Sequence, residues 1–174
     1  MPSEFPPPSL RDLRDEVANL LKEKHESVSI AETASGGLLS ATLLSAPGAS
    51  SFYKGGLTVY TLPSRLAYAG WAAADIESYA GPTPAVVAGM AGNVRATLQS
   101  TYALCESGTA GPTASGEGRN RQPGYVALAV SCAAGTYTRE VETGLGGDRE
   151  GNMVAFAREG LRFVRDVING EAKL

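Results

Sequence analysis

Leu13, Val17, Leu20 and Leu21 recur at helical spacing while charged residues fill the opposite face, which predicts an amphipathic helix from a Ser9 cap to about Lys22. Short apolar runs of strand length follow at Ser27 to Ala31, Gly56 to Thr61, Tyr102 to Glu106, Tyr125 to Cys132 and Tyr137 to Glu142. Between them, helical patterns run from Gly37 to Ser45, Ser64 to Tyr68 behind Pro63, and Ala74 to Tyr79. A longer one runs from a Thr83-Pro84 start to about Gln99, and the last from Glu150 to Ile168. Helices before, between and after strands predict an α/β fold: a three-layer sandwich with a mixed, mostly parallel sheet and an antiparallel pair in the second half.

A length of 174 residues suits one such domain, expected over residues 9–174 behind an extended proline-rich lead-in at 1–8. The polar, Gly/Arg-rich stretch Ser115 to Gln122 is expected to be a mobile loop. A formal net charge of -3 leaves no basic stripe for nucleic acid, though a compact anionic metabolite needs only a local site. Neither a signal peptide nor a membrane span is expected. Cys105 and Cys132 lie in apolar runs, so buried thiols and a cytoplasmic location are expected rather than a disulfide framework.

Candidate chemistry starts at AETASGG, Ala31 to Gly37, where an apolar run gives way to glycines and then to a helical pattern. A glycine loop feeding a helix N-terminus leaves free N–H groups for an anion, and Thr33, Ser35, Gly36 and Gly37 sit at that mouth. No Lys follows the glycines, so this is not a phosphate-binding P-loop, and it lacks the GxGxxG of a dinucleotide fold. A second loop, SGTAGP from Ser107 to Pro112, also follows a strand and offers Gly108 and Gly111 at the same kind of end. No metal-ligand spacing, and no cofactor beyond a small-molecule ligand, is read from the chain.

In order and spacing, AETASGG, the PGASS run ending at Ser51, the strand carrying Tyr60, SGTAGP and GGDRE resemble the C-terminal domain of the CinA family. Active members of that family are nicotinamide mononucleotide amidohydrolases. The resemblance implies Ser50 as nucleophile, Tyr60 and residue 65 as its activating partners, and Glu32, Thr33, Ser35, Gly36, Gly37, Ser107, Gly108, Gly111 and Arg149 around the nucleotide. It also implies a homo-oligomer, expected as a dimer, for which the Ala/Gly faces of the Thr83 to Gln99 helix offer close approach. One departure alters the chemistry: residue 65 is Arg where the family has lysine, and a guanidinium keeps its proton and cannot act as base for a serine. Met153 likewise stands where the family carries an arginine. Two functions follow as alternatives: a serine amidohydrolase that deamidates the nucleotide, or a catalytically degenerate member that binds a pyridine nucleotide or similar anion as sensor or assembly module. A purely structural α/β protein is the third.

Overall fold

The computed structural model describes residues 3–173, so residues 1, 2 and 174 of the expected lead-in and domain lie outside it. Helix α1 (Pro8–Lys24) starts one residue before the expected Ser9 cap, with Pro7 at the cap position and no side-chain capping bond. Pro8 presets the first-turn φ and needs no N–H partner, so the prolines themselves start the helix. His25, in the left-handed region at φ 54°, ends it and returns its N–H to the last turn.

Strand β1 (Val28–Glu32) is buried at every position and lies inside the sheet. Helix α2 (Leu38–Leu44), a 3-10 turn at Ala49–Ser51 and strand β2 (Tyr53–Thr58) follow. After β2 come the short helices α3 (Leu62–Tyr68) and α4 (Ala73–Glu77), then α5 (Pro84–Leu98) and strand β3 (Tyr102–Gly108). A 3-10 turn at Arg119–Arg121, strands β4 (Tyr125–Cys132) and β5 (Gly135–Glu142), and helix α6 (Arg149–Ile168) complete the chain. The strand order is β2-β1-β3-β4-β5, with β1 parallel to β2 and β3, and β4 antiparallel to β3 and β5. Four strands therefore run one way and β4 alone runs against them.

Helices α1, α2 and α6 cover one face, where Leu21, Ile30, Leu104, Leu128, Phe156 and Phe163 form the larger core. Helix α5 covers the other, setting Val87, Met90 and Val94 against Ala31, Ala103, Cys105, Ala127 and Ala129. Alternation along β3 sends Ala103 and Cys105 to α5 and Leu104 to the opposite layer, as a two-residue repeat requires. The small side chains on that face of the sheet let α5 settle close to it, but of the helix's own Ala and Gly residues only Ala91 is buried, and a Cβ at Gly89 or Gly92 would meet nothing within 4 Å. Thr83 accepts the N–H of Val86 at 3.2 Å, the cap expected from sequence.

Strand β2 and the segment Ser115 to Gln122 differ from the sequence pattern. Strand β2 starts at Tyr53 rather than Gly56, because Val28 pairs with Tyr53 and Ser29 with Gly55, leaving Lys54 as an extra residue. Gly55, at φ 136°, permits that irregularity. The segment Ser115 to Gln122, expected as a mobile loop, is tied down: Asn120 Nδ2 donates to the carbonyls of Ala80 and Pro82, and Arg121 Nη1 to Ser115 O. Among the described residues no helix is long and apolar enough to cross a membrane.

Gly160 packs tightly against α2 and β3, since a Cβ there would lie 3.2 Å from Leu39 Cδ2 and 3.4 Å from Leu104 Cδ2. Gly160→Leu is therefore expected to destabilise the fold by about 1–3 kcal/mol through overpacking, read as a lower urea midpoint at unchanged m-value.

Candidate functional site

Because β1, β2 and β3 are parallel, the segments that leave Glu32, Thr58 and Gly108 emerge at one end of the sheet. Helix α6 begins at the same end, because β5 also finishes there before the turn to Arg149. Between them lies an open cavity of about 660 Å³, within the ordinary range for a small-ligand site. Thr33, Tyr60, Arg65, Gly108, Gly111 and Arg149, all anticipated from sequence, line it. Thr109 joins them from within the SGTAGP loop, and Tyr79, Ser115 and Arg121 do so without any sequence signal that marked them for the site.

The expected backbone anion site is not open. Glu32, fully buried, accepts the N–H groups of Leu39 at 3.1 Å and Ser40 at 3.0 Å, so the N-terminus of α2 is capped from within the chain. Glu106, equally buried, accepts the N–H groups of Thr33 and Ser35, each at 3.0 Å. Ser35, Gly36 and Gly37 consequently do not line the cavity, and neither do Glu32 and Ser107. Gly36 instead lies against Met153, whose Cε stands 3.0 Å from where a Cβ would be. Ser107 accepts from the Thr33 hydroxyl at 3.2 Å and fixes that side chain from behind. Glu106 is the residue that sequence reading missed. Its one legible trace was a carboxylate ending the otherwise apolar run ALCE.

Ser35 Oγ lies 2.7 Å from a carboxyl oxygen of Glu32 and 2.7 Å from one of Glu106. A hydroxyl has one proton to donate, so the second contact needs a proton from a carboxyl group. Burial pushes the Glu106 carboxyl up, the Ser35 and Thr33 donors pull it down, and the Glu32 charge adds to the rise. The net direction for Glu106 is upward, toward the protonated form.

The cavity itself is cationic. Arg65, Arg121 and Arg149 line it, no carboxylate does, and none of the three forms an ion pair among the described residues. Arg149 donates to Gly111 O and to Tyr60 Oη at 3.4 Å. Arg121 donates to the carbonyls of Ala80, Ser115 and Tyr79. Arg65 is buried, held by an Nε bond to Val59 O at 3.3 Å and by stacking 5.2 Å from the Trp71 ring and 5.1 Å from the Tyr79 ring.

Ser50 is not at this mouth. It is exposed in the 3-10 turn Ala49–Ser51, at the start of β2, whereas Tyr60 and Arg65 follow the end of that strand. Six strand residues separate the two ends by roughly 20 Å at ~3.3 Å per residue. The turn does not fold back: Phe52 N–H donates to Ala49 O and Val28 N–H to Phe52 O, fixing it at the entry of the sheet. The structure thus brings Tyr60, Arg65 and Arg149 together and leaves Ser50 apart within one chain. Lys54 and His25 lie at that far end as well. Among the described residues no group of three or more His, Cys, Asp or Glu side chains is placed to hold a metal ion.

Residues 10–168 match the family model described as the CinA C-terminal domain. A CinA-like protein of Shewanella amazonensis is 32% identical over 162 residues, covering 92% of this chain and 37% of the relative. Another, of Pseudothermotoga lettingae, is 34% identical over 130 residues, covering 75% of this chain and 31% of the relative. The chain thus spans about a third of the length of these curated relatives. Among solved structures, the competence/damage inducible protein CihA of Agrobacterium tumefaciens superposes with a TM-score of 0.85 at 22% identity, covering 96% of this chain and 99% of that one. The competence damage-inducible protein A of Klebsiella pneumoniae gives 0.81 at 24% identity, with 91% and 96% covered. These two likenesses are of fold.

The buried carboxyl pair carries a pH signature. A carboxyl raised in the folded state stabilises the fold fully below its unfolded pKa of ~4.3 and loses that contribution as pH rises through the folded value. Glu106→Gln, which mimics the protonated form, is expected to lose less stability than wild type as pH rises from about 4 to 7. Melting temperatures of both proteins across that range check the sign, and parallel curves would show that Glu106 does not carry the proton.

Proposed function

The chain belongs to the CinA C-terminal domain family, and from that premise we propose that its arginine-lined cavity binds a phosphate-bearing pyridine mononucleotide. The observation that carries this reading is the set of three guanidinium groups facing one cavity with no carboxylate among the lining residues. At an effective dielectric near 20, a unit charge pair at 4 Å is worth about 4 kcal/mol, so an anion entering the cavity is strongly favoured. Arg149 at the head of α6 offers its guanidinium to the phosphate, with the Thr33 and Thr109 hydroxyls nearby. The exposed Tyr60 ring gives a flat cationic ring its π surface.

Of the two alternatives raised by the sequence, the geometry favours binding without turnover. A hydrolase needs a nucleophile within about 3–3.5 Å of the amide carbon and a base beside it. Ser50 stands at the far end of β2, and Arg65 retains its proton. The amidohydrolase survives as a second reading on one observation: Ser50 is exposed, so a second copy of the chain could present it to the cavity. That reading requires the homo-oligomer.

Nicotinamide mononucleotide is expected to raise the melting temperature of the wild type, and Arg149→Ala to weaken its binding at least ~10-fold by calorimetry, the loss of one charge-assisted contact. An unchanged affinity would move the site elsewhere. Ammonia release is expected to be absent for wild type and for Ser50→Ala alike. Release by wild type that is lost in Ser50→Ala, together with a dimer mass by light scattering, would replace binding with hydrolysis across two copies.

A further inference from the structure

The sheet ends on an unprotected edge. Strand β2 is terminal and paired only with β1, so its other side carries backbone N–H and C=O groups with no strand partner. Val59 N–H donates to Glu32 O on the β1 side, so alternation turns the backbone groups of Gly56 and Thr58 outward, and both residues are exposed. At the opposite edge β5 exposes Glu140 and Glu142, charges that discourage further pairing. Along β2 the one charge is Lys54, at the bulge, and no proline interrupts the strand. Apolar surface gathers around the same strand. Among the described residues six large hydrophobic side chains are exposed, and four of them, Leu44, Tyr60, Leu66 and Tyr68, lie on the segments that lead into and out of β2.

We infer that this edge is a self-association surface: β2 of a second copy pairs with it antiparallel about a two-fold axis, which extends the sheet and brings the partner's Ser50 to α3 beside the cavity. A two-fold interface is self-complementary, and two antiparallel copies of one strand meet that condition. Gly55 and Gly56 sit near the middle of β2, where absent side chains let two backbones approach. Reversal of the partner strand undoes the separation found within one chain. With Gly56 facing its own copy, the partner's Ser50 falls opposite Leu62; with Gly56 facing Thr58, opposite Ser64; with Thr58 facing its own copy, opposite Leu66. Every register that sets the outward groups against each other therefore delivers the serine to α3, the helix that carries Arg65. The exposed apolar side chains before and after β2 are drawn toward one another in the same step. Arg65 keeps its proton, so the arriving hydroxyl is a hydrogen-bonding group at the cavity mouth rather than an activated nucleophile. The pairing does not depend on which ligand the cavity takes.

Light scattering is expected to give a dimer mass for the wild type and a monomer mass for Thr58→Pro. Thr58 N–H points away from β1, so proline there removes an outward donor and leaves the ladder inside the sheet in place, with circular dichroism to check the fold. A cross-link reads the geometry directly. In a Cys132→Ser background, Ser50→Cys combined with Leu66→Cys is expected to be joined between chains by a short bis-maleimide, since both positions are exposed and Cys105 is buried. Within one chain the two positions lie beyond opposite ends of β2, out of reach of the same reagent. A monomer mass for the wild type at high concentration overturns the inference. So does a dimer that yields no such link, or one that survives Thr58→Pro with its fold intact, since the interface then lies elsewhere, the outer face of α5 included. If Thr58→Pro does not fold, the cross-link decides. A linked dimer that does not bind nicotinamide mononucleotide overturns the nucleotide reading alone, and a monomer that binds it overturns the pairing alone.

Discussion

Glu106 sits at the point on which the whole mouth depends. Its carboxyl gathers the N–H groups of Thr33 and Ser35 and contacts the Ser35 hydroxyl, while Glu32 takes the N–H groups of Leu39 and Ser40. Two buried acidic side chains thereby occupy the nest that a glycine loop before a helix would otherwise offer to a ligand. The loop is locked to β3 instead of being left open to solvent, and Thr33 is held against Ser107 with one side facing the cavity. The positive charge at the cavity then comes from side chains: Arg65, Arg121 and Arg149 line it from three separate segments, none of them adjacent to the glycine loop in sequence.

The sheet dictates which of the family-pattern residues can cooperate. Parallel β1, β2 and β3 carry their following loops to a single end, where Thr33, Tyr60, Gly108 and Gly111 meet. The same rule sends residues that precede these parallel strands to the other end, where Ser50 and His25 lie, with Lys54 at the start of β2 beside them. A nucleophile before β2 and an activating group after it are separated by the length of the strand. Within a single chain this arrangement suits a binding pocket. Catalysis through Ser50 requires a second chain.

Arg65 is held by its neighbours within the frame of the fold. Short helices α3 and α4 bring Arg65, Trp71 and the nearby Tyr79 into one stack, so the guanidinium is buried by aromatic faces and tied at one nitrogen. A lysine in that place would be a point charge on a flexible stem. The guanidinium is a flat group whose direction its neighbours fix, with Nη1 buried and without a hydrogen-bond partner.

The sequence by itself determined the elements and their layering. Hydrophobic periods of two and near four fix strands and helices locally, Thr83 with Pro84 marks a helix start, and alternating helices and strands restrict the sheet to a mostly parallel one. It also determined which loops would meet, because a loop that follows a parallel strand has only one end of the sheet to occupy. Boundaries slipped where pairing overrode pattern: Lys54 is bulged out so that β2 starts at Tyr53, and the prolines at 7 and 8 start α1 before Ser9. Only the tertiary structure decided what each loop was free to do. Glu106 reaches the loop after β1 from a position 73 residues away from Thr33, and Arg121 and Tyr79 enter the cavity from segments whose local pattern says only turn or short helix. Charge compensation, burial and the direction of a side chain are set by neighbours distant in sequence. For that reason the availability of the α2 N-terminus and the isolation of Ser50 could be read from the fold alone.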